Sequence, residues 1–506
     1  MFRSPVGCLF LLSAFAACNP TGNETAPDAG SADAGFTVGA KDRLLLQGTV
    51  VTPWEAFDGQ VLVEGSRITC VAPGSACEEA PGAPGATRID TGGVIAPGLV
   101  DTHNHILFDV FDGDDWTPSR TYRNHNEWTS EPGYQAMLEV KHCLSDDSQG
   151  KPGWCAQTPY GTATGSLRCE MDKFGELKGL IAGTTSIVGL AGTSGACFGS
   201  LARSIDTGAN GLGSDRVRTS ALFPPSAATA TSVCGAFADG GVNAFLVHCG
   251  EGTDVAALNE YATLGALGAG CLKAPQTTLT HGTAFGSNEL SDMASHGVRL
   301  TWSPRSNASL YGDTANIPGA RAAGVQVALG PDWSMGGSQN LPEELRFAQA
   351  WDTSHWNGSL TPQDLVVMAT ANGAAVVGQS QQLGQLAVGF LADLFVVRGD
   401  RQNPNQAIVE ATPRTVALVL VGGVVQYGDE LWRDAAASPD DCEALDVCGS
   451  PKVLCMAVPD GGAKLSQTWT DVSTALGNAM DVVDTARDAG DGRHYAPLPP
   501  LVTCGY

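Results

Sequence analysis

Short apolar runs alternate with amphipathic runs through the middle of the chain. The apolar runs are brief, rich in branched residues and closed by turn residues, which is typical of buried strands, whereas the longer amphipathic runs favour helices. Two helical patterns cover residues 254–268 and 342–352. Seven strands are predicted, at Val94–Val100, Thr184–Leu190, Val217–Phe223, Asn243–Val247, Thr277–Thr280, Val298–Trp302 and Val325–Gly330.

Strands that alternate with helices form parallel sheets, and eight strand–helix units close a barrel. The predicted fold class is therefore α/β, with a distorted (β/α)8 TIM barrel over residues 96–383. Seven strands are one too few for closure. The missing strand is expected between Pro224 and Gly241, where the pattern is weakest.

The two segments that flank this region have a different pattern of short strands and turns. Residues 41–95 and 384–431 are predicted to combine into one small β-sandwich domain built from both ends of the chain. Residues 432–506 carry four cysteines and fit neither pattern. They are expected to form an extension fixed by disulfides.

The N-terminus has the pattern of an export signal. Residues 1–18 contain one arginine, a short apolar run and a small-residue ending. The ending FAAC resembles the lipobox of bacterial lipoproteins, so Cys18 is the expected lipidation site, and a plain secretory signal is the alternative. Residues 19–40 predict a flexible linker. We expect an exported protein, either a lipoprotein of the bacterial cell envelope or a secreted one.

Cysteine usage agrees with export. The chain has 15 cysteines and no CxxC pair, which favours disulfides over a zinc ribbon. Setting aside Cys8 and Cys18 leaves an odd number, so one thiol is unpaired, and we expect it to be Cys249. Several others are closely spaced, namely Cys70 with Cys77, Cys442 with Cys448, and Cys143 with Cys155 and Cys169.

The charge balance limits the partners. The formal net charge is −25, with 53 acidic and 28 basic residues. Such a field disfavours nucleic acid and anionic membrane surfaces. The expected partner is a small-molecule substrate, and membrane contact is expected only through the lipid anchor. Association into a homo-oligomer is left open.

Metal-ligating residues follow the predicted strands. His103 and His105 follow the first strand, and His248, His281 and Asp332 follow three later ones. Residues i and i+2 of an extended segment point the same way, so His103 and His105 face one space. Because the strand ends of a parallel barrel open on one face, all five side chains are expected to converge there. Imidazoles with one carboxylate suit Zn²⁺ or a similar divalent ion.

Four motifs occur at these positions: PGLVDTHNH, HCGE, GPDW and, in the returning β segment, GFLADLFVV. Together they resemble the amidohydrolase superfamily of metal-dependent hydrolases over Leu44 to Gly428. The likeness is greater to the branch of cytosine, guanine and S-adenosylhomocysteine deaminases and triazine hydrolases. That branch places a glutamate three residues after the histidine, as Glu251 follows His248, and a Pro-x-Ser-Asn loop like WSPRSN.

The resemblance implies one metal ion rather than two. Members with two metals bridge them through a carboxylated lysine at the fourth strand, and no lysine occurs between Lys178 and Lys273. The implied ion is zinc, with iron as the alternative. By the same likeness, His103, His105, His248 and Asp332 bind the metal. His281 hydrogen-bonds the attacking water or the intermediate, Glu251 moves the proton, and Asp332 can accept one.

Four further residues are candidates for substrate contact: Trp116, Trp302, Arg305 and Asn307. Trp116, with Tyr122 and Trp128, could stack on a flat ring or pack on the barrel rim. Arg305 could bind an anionic group or form a salt bridge within its loop. His125, His142, His296, His355 and His494 are expected to be structural or surface residues.

The expected function is hydrolysis of a C–N bond in a small cyclic or heterocyclic substrate, by deamination or by opening an amide. Displacement of another leaving group from an activated ring is the first alternative. A lipid-anchored binding protein with the same fold and no turnover is the second. The intact set of candidate ligands and Glu251 favours an enzyme.

Overall fold

The computed structural model describes residues 35–145, 150–189, 197, 201–207, 211–212, 216–221, 223–458, 461–487 and 492–504. The predicted signal, Cys18 and most of the predicted linker lie outside this part of the chain. No helix within it is long and apolar enough to cross a membrane.

The strands fall into three sheets. Their bounds are β1 (Phe36–Thr37), β2 (Ala40–Val51), β3 (Ala56–Glu64), β4 (Arg67–Pro73), β5 (Ala86–Pro97), β6 (Leu99–Asp101), β7 (Thr184–Ile187), β8 (Arg203–Ser204), β9 (Val217–Ser220), β10 (Ala244–Cys249), β11 (Thr277–His281), β12 (Arg299–Trp302), β13 (Val327–Leu329), β14 (Leu394–Val397), β15 (Val416–Val421), β16 (Val424–Asp429), β17 (Glu443–Val447) and β18 (Ser450–Leu454).

Most of the α-helices lie between or after the central strands. They are α1 (His125–Trp128), α2 (Pro132–Leu144), α3 (Arg168–Leu180), α4 (Ala227–Asp239), α5 (Val255–Ala266), α6 (Ser287–His296), α7 (Pro304–Tyr311), α8 (Ile317–Ala323), α9 (Leu341–His355), α10 (Pro362–Ala369), α11 (Ala371–Val376), α12 (Pro404–Val409) and α13 (Trp469–Arg487). The two helices predicted from the pattern correspond to α5 and α9.

The central strands β6 to β13 pair in parallel, as a three-stranded sheet β6-β7-β8 and a five-stranded sheet β9-β10-β11-β12-β13. The two sheets are linked by a parallel bridge from Asn104 to Asp332 and by a hydrogen bond from Thr102 Oγ1 to the Leu329 carbonyl of 2.9 Å. This order is that of a TIM-barrel type α/β fold. No pairing joins β8 to β9 within the described residues, so closure is not shown.

The eighth strand is not where the pattern predicted it. Most of residues 224–241 form α4, which Ser226 caps at its N-terminus and which ends at Gly240, with a φ of 72°. The strand that the pattern missed is β8, which has two residues, too few for any periodicity to show.

The apolar run Val94–Val100 is divided between two sheets. Val94 to Pro97 end β5, which pairs with β14, and Leu99 begins β6, which pairs with β7. At Gly98 between them, a Cβ would lie 2.0 Å from Thr185 Oγ1, so the chain passes too close to β7 for a side chain.

The flanking strands form one ten-stranded sheet in the order β17-β18-β16-β15-β14-β5-β2-β3-β4, with β1 on β5. Both flanking segments of the chain contribute strands to this sheet. The hairpin β17–β18 of the C-terminal extension continues this sheet through β16. Layering of the sheet into a sandwich stays a prediction.

Six disulfides occur in the described residues: Cys70–Cys77, Cys143–Cys155, Cys169–Cys197, Cys234–Cys271, Cys442–Cys455 and Cys448–Cys504. Cys249 is free and buried, as predicted. The close spacing of Cys442 and Cys448 was misleading, because the β17–β18 hairpin pairs Cys442 with Cys455 instead.

Candidate metal centre and its cavity

Five strand-end residues converge on one side of the central strands. His103 and His105 follow β6, His248 and His281 lie in the last positions of β10 and β11, and Asp332 follows β13. The ring centroid of His103 lies 4.9 Å from that of His105, 4.6 Å from that of His248 and 5.3 Å from that of His281. The structure thus brings together all the residues proposed from the sequence as metal ligands.

Two of these residues have a backbone conformation that is uncommon for residues with a side chain. His281 has a φ of 74° and Asp332 a φ of 73°. Such left-handed positions cost of order 1–3 kcal/mol each and cluster at functional sites. The neighbouring backbone holds Asp332, whose N–H donates to the His103 carbonyl at 3.1 Å and whose carbonyl accepts from the His105 N–H at 2.6 Å.

Gly330 allows the backbone around Asp332 to lie this close to the backbone around His103. A Cβ at Gly330 would lie 2.7 Å from His103 Cβ and 2.8 Å from His103 N. The glycine of the GPDW motif therefore lets the β6 and β13 ends lie side by side.

A second set of contacts orients the ligating groups. His248 Nδ1 lies 3.3 Å from the Ser220 carbonyl, and His281 Nδ1 lies 2.9 Å from Asn307 Oδ1. Both contacts fit Nδ1–H donation, which leaves Nε2 facing the centre. Ser306 Oγ donates to Asp332 Oδ2 at 2.5 Å, so Oδ1 faces the histidines.

The charges suit a cation. Burial lowers the pKa of His105 to about 3 and holds the pKa of His248 well below its usual range, so both rings keep their lone pairs at neutral pH. Burial alone would raise the pKa of Asp332, but the hydrogen bond to His103 and the neighbouring imidazoles outweigh it and lower that pKa.

Three pairs of donor atoms have the spacing of neighbouring ligands on one tetrahedral ion. Ligands held about 2.0–2.1 Å from a tetrahedral zinc ion lie roughly 3.3 Å from one another. Nε2 of His105 lies 3.3 Å from Nε2 of His248 and 3.4 Å from Asp332 Oδ1. His103 Nε2 lies 3.0 Å from the same Oδ1. His281 belongs to a second candidate set, because His103, His248 and His281 bring ligating atoms within 4.8 Å of one another.

Glu251 lies at the edge of this cluster. Its Oε2 is 3.9 Å from His281 Nε2, and its Oε1 accepts a hydrogen bond of 2.6 Å from the Tyr311 hydroxyl. Glu260 holds the adjoining loop, since its Oε2 accepts from the Gly250 N–H at 2.7 Å. Sequence reasoning had no signal for Glu260 in this role.

A cavity of about 230 Å³ opens over Glu251, His281 and Asp332. Its aromatic walls are formed by Phe108, Trp128, Tyr134 and Trp333. The rings of Phe108 and Tyr134 are nearly parallel, at 19° with centroids 6.2 Å apart. A second cavity, of about 200 Å³, adjoins His103 and His105 on the side of Asp206 and Ser220. The residues that line both cavities are His105, Phe108, Lys141, Ala221 and His248.

Neither cavity is lined by the four residues proposed for substrate contact, but Trp128, for which ring stacking was one alternative, lines the larger cavity. Trp116 is buried behind the wall, with its ring centroid 5.8 Å from that of Trp333, and Trp302 donates to Thr314 Oγ1 at 2.7 Å. Arg305 forms a salt bridge of 3.2 Å, but its partner is Glu343 of α9 and not a residue of its own loop as the alternative had it. Asn307 Oδ1 accepts the hydrogen bond from His281 Nδ1. All four residues therefore make contacts within the protein instead of facing a cavity.

Other residues of the wall were missed. His125, expected to be structural, lines the larger cavity and lies 2.8 Å from Glu260 Oε1. His142 also lines that cavity, whereas His296 and His355 are exposed. Trp333 stands inside the GPDW motif, so its place beside Asp332 was available from the sequence. Lys141 and Tyr134 lie on α2, where no motif marked them.

A parallel α/β fold with histidines and an aspartate at its strand ends defines a hydrolase of the metal-dependent type. The sequence pattern of the Amidohydrolase family matches residues 94–425, and the chain belongs to this family. Membership, together with a likeness to known deaminases, supports a hydrolase of carbon–nitrogen bonds in the deaminase branch, as the motifs predicted.

Two curated relatives are deaminases. The chain is 25% identical over 425 residues to the 5-methylthioadenosine/S-adenosylhomocysteine deaminase of Symbiobacterium thermophilum, covering 77% of this chain and 94% of that protein. The enzyme of the same name from Bacillus cereus is 31% identical over 131 residues, which is 25% of this chain and 30% of that protein.

Solved structures share the fold. An adenosine deaminase from Xanthomonas campestris with bound zinc superposes with a TM-score of 0.60 at 18% identity, covering 88% of this chain and 98% of that one. Atrazine chlorohydrolase from Arthrobacter aurescens, complexed with zinc and atraton, gives 0.58 at 17% identity over 76% and 94%. Guanine deaminase from Bradyrhizobium japonicum gives 0.57 at 16% identity over 77% and 100%.

Proposed function

We propose that this protein is a single-metal hydrolase that deaminates a planar nitrogen heterocycle. The observation that carries the proposal is the convergence of His103, His105, His248 and Asp332 beside Glu251, where three pairs of their donor atoms lie 3.0–3.4 Å apart. These four residues would hold the ion, which we expect to be zinc, with iron as the alternative. When bound, the ion would lower the pKa of a water molecule towards neutrality.

Side chains of the protein then transfer the proton from the attacking water to the leaving nitrogen. Glu251 lies at the cavity edge, so it takes a proton from the attacking water and passes it to the leaving nitrogen. His281, whose Nδ1 donates to Asn307 Oδ1 at 2.9 Å, presents the lone pair of Nε2, which accepts a hydrogen bond from the attacking water or from the hydroxyl of the addition intermediate. Asp332 is the second acceptor within reach of the water. Such positioned acid–base groups contribute roughly 10²–10⁴ in rate.

The end of β9 favours a single ion. Ser220 is the last residue of this strand and Ala221 comes directly after it, so neither a lysine nor a carboxylate is present there to bridge two metals. The carbonyl of Ser220 is instead engaged by His248 at 3.3 Å.

The aromatic walls favour a flat substrate. Phe108, Trp128, Tyr134 and Trp333 present ring surfaces to the larger cavity, and rings stack on planar heterocycles. The curated relative that this chain matches over 94% of its length acts, by its name, on adenine-containing molecules. We therefore choose 5-methylthioadenosine, S-adenosylhomocysteine, adenosine, guanine and cytosine as the first panel.

The test starts with metal content, measured by inductively coupled plasma mass spectrometry on the wild type and on His248→Ala and Asp332→Ala. One ion per chain, lost in both variants, supports the site; two ions per chain contradict the single-ion proposal. Ammonia release from the panel by the wild type, reduced at least about 100-fold in Glu251→Gln with metal retained, supports deamination. Halide or amide-hydrolysis products without ammonia would replace deamination by the alternative reactions.

We also propose that the protein is exported and attached to the envelope through Cys18. Six disulfides suit an oxidising compartment, and residues 1–18 have the export pattern. Labelling with radioactive palmitate in a bacterial host should mark the wild type and not Cys18→Ser. Labelling of neither protein, with processed soluble product, would favour the plain secretory signal.

A further inference from the structure

One short helix holds three groups of the site. Helix α7 runs from Pro304 to Tyr311, directly after β12. Ser306 donates to Asp332 and Asn307 accepts from His281, at 2.5 and 2.9 Å. Tyr311, one turn after Asn307, donates to Glu251 at 2.6 Å. The first two contacts orient Asp332 and His281, and the third contact holds Glu251, the residue proposed to transfer the proton.

The Tyr311 hydroxyl is itself held in place. Trp128 Nε1 donates to it at 2.8 Å, so the hydroxyl accepts from Trp128 and directs its own hydrogen to Glu251 Oε1. Trp128, Tyr311 and Glu251 are all buried, with 8%, 5% and 5% exposed surface, so water does not compete for these bonds. Burial also raises the pKa of Tyr311 well above its usual range, which keeps the hydroxyl a donor.

We propose that Tyr311 is a positioning residue for Glu251, oriented in turn by Trp128 from the cavity wall. By occupying Oε1, the hydroxyl leaves Oε2 as the oxygen that faces His281, 3.9 Å away, and the reacting water. Trp128 both lines the cavity and donates to Tyr311. A substrate ring bound against Trp128 is therefore linked to Glu251 through the hydrogen bonds from Trp128 to Tyr311 and from Tyr311 to Glu251. This inference rests on the proposed role of Glu251.

The variant that tests it is Tyr311→Phe, which removes the hydroxyl and keeps the ring. The matched control is Tyr261→Phe, since Tyr261 is equally buried and donates to a carboxylate outside the site, Asp292, at 2.8 Å. Trp128→Phe, which keeps Tyr311 but removes its donor, is a second variant in case Tyr311→Phe does not fold. Melting temperature and metal content are measured for every variant.

The readout needs no substrate. Each protein is loaded with Co²⁺, and its visible absorption is measured as a function of pH. A proton acceptor beside the ion influences the midpoint of the pH-dependent change in absorption. We expect Glu251→Gln and Tyr311→Phe each to displace the midpoint by about 0.5 pH unit or more, and the double variant to match Glu251→Gln alone. Tyr261→Phe should match the wild type.

The outcomes separate the two proposals. If Glu251→Gln displaces the midpoint and Tyr311→Phe does not, or if the two effects add, the positioning role is overturned while the role of Glu251 stands. If Glu251→Gln leaves the titration unchanged, the role of Glu251 itself fails, and this inference fails with it. With a substrate from the panel, Tyr311→Phe should lower kcat about 10- to 100-fold with KM within about threefold, and should have no further effect in the Glu251→Gln background.

Discussion

Ser306 fixes the orientation of Asp332. Its hydroxyl donates to Oδ2 at 2.5 Å, and the other oxygen of the carboxylate lies 3.0 Å from His103 Nε2 and 3.4 Å from His105 Nε2. A carboxylate held by one oxygen presents the other in a single direction, which is how contacts beyond the ligands tune a metal centre.

Ser306→Ala should therefore weaken metal binding. Loss of the orienting hydrogen bond is expected to reduce affinity about 10- to 100-fold, and competition with a chromogenic chelator measures it. Ser309→Ala, on the same helix α7, is the control and should retain wild-type affinity. An unchanged affinity in Ser306→Ala would mean that the backbone around Asp332 suffices to orient the carboxylate.

His281→Ala should retain one metal ion per chain and lose turnover. The proposed role of His281 is to hydrogen-bond the reacting oxygen, a kind of contact whose removal typically costs about 10²–10³ in kcat. Metal content by mass spectrometry and ammonia release on the same preparation measure the two effects. Loss of the ion would instead make His281 a ligand, in the set that it forms with His103 and His248.

Arg305→Met should leave KM unchanged for anionic and neutral substrates. Arg305 pairs with Glu343 at 3.2 Å and does not line either cavity at the site. Because the guanidinium side chain is partly exposed, we expect a loss of at most about 1 kcal/mol in the free energy of unfolding. Urea unfolding and steady-state kinetics measure the two quantities. A rise in KM confined to anionic substrates would restore the substrate-contact role predicted from the sequence.

Glu344→Gln should flatten the dependence of stability on pH. Burial raises the pKa of Glu344 to about 8 from its ordinary 4.5. Between these values the folded state keeps a proton that the unfolded state has lost, so the contribution of Glu344 to stability is fully present below pH 4.5 and is lost as pH rises towards 8. The slope is about 1.4 kcal/mol per pH unit within that window.

Urea unfolding of the metal-free protein from pH 5 to 8 measures this slope. The glutamine amide keeps hydrogen-bonding partners near Arg305 N and Ser338 Oγ, the two contacts of the carboxyl group. Glu79→Gln, at an exposed position, should keep the wild-type slope. If Glu344→Gln keeps it as well, another group is responsible for the pH dependence.

The local pattern of apolar and polar residues was sufficient to predict those strands and helices whose formation depends on neighbouring residues in the chain. Strand-length apolar runs predicted the parallel strands β6, β7, β9, β10, β11, β12 and β13, and helical spacing predicted α5 and α9. The histidines and Asp332 stand directly after these runs, so the rule that parallel strand ends share one face was enough to bring them together. Local pattern failed where the signal was two residues long, as in β8, or weak, as in the segment that forms α4.

The sequence by itself thus determined the family, the strand order in outline, the candidate ligands that converge around His103 and Asp332, and the free thiol at Cys249. Only the tertiary structure decided what surrounds them. The walls come from Trp128, Tyr134 and Trp333, and the orienting contacts pair Ser306 with Asp332 and Tyr311 with Glu251, across 26 and 60 residues of chain. Such pairings depend on how α2 and α7 pack over the strand ends, and side-chain packing between distant segments leaves no periodic trace in one sequence.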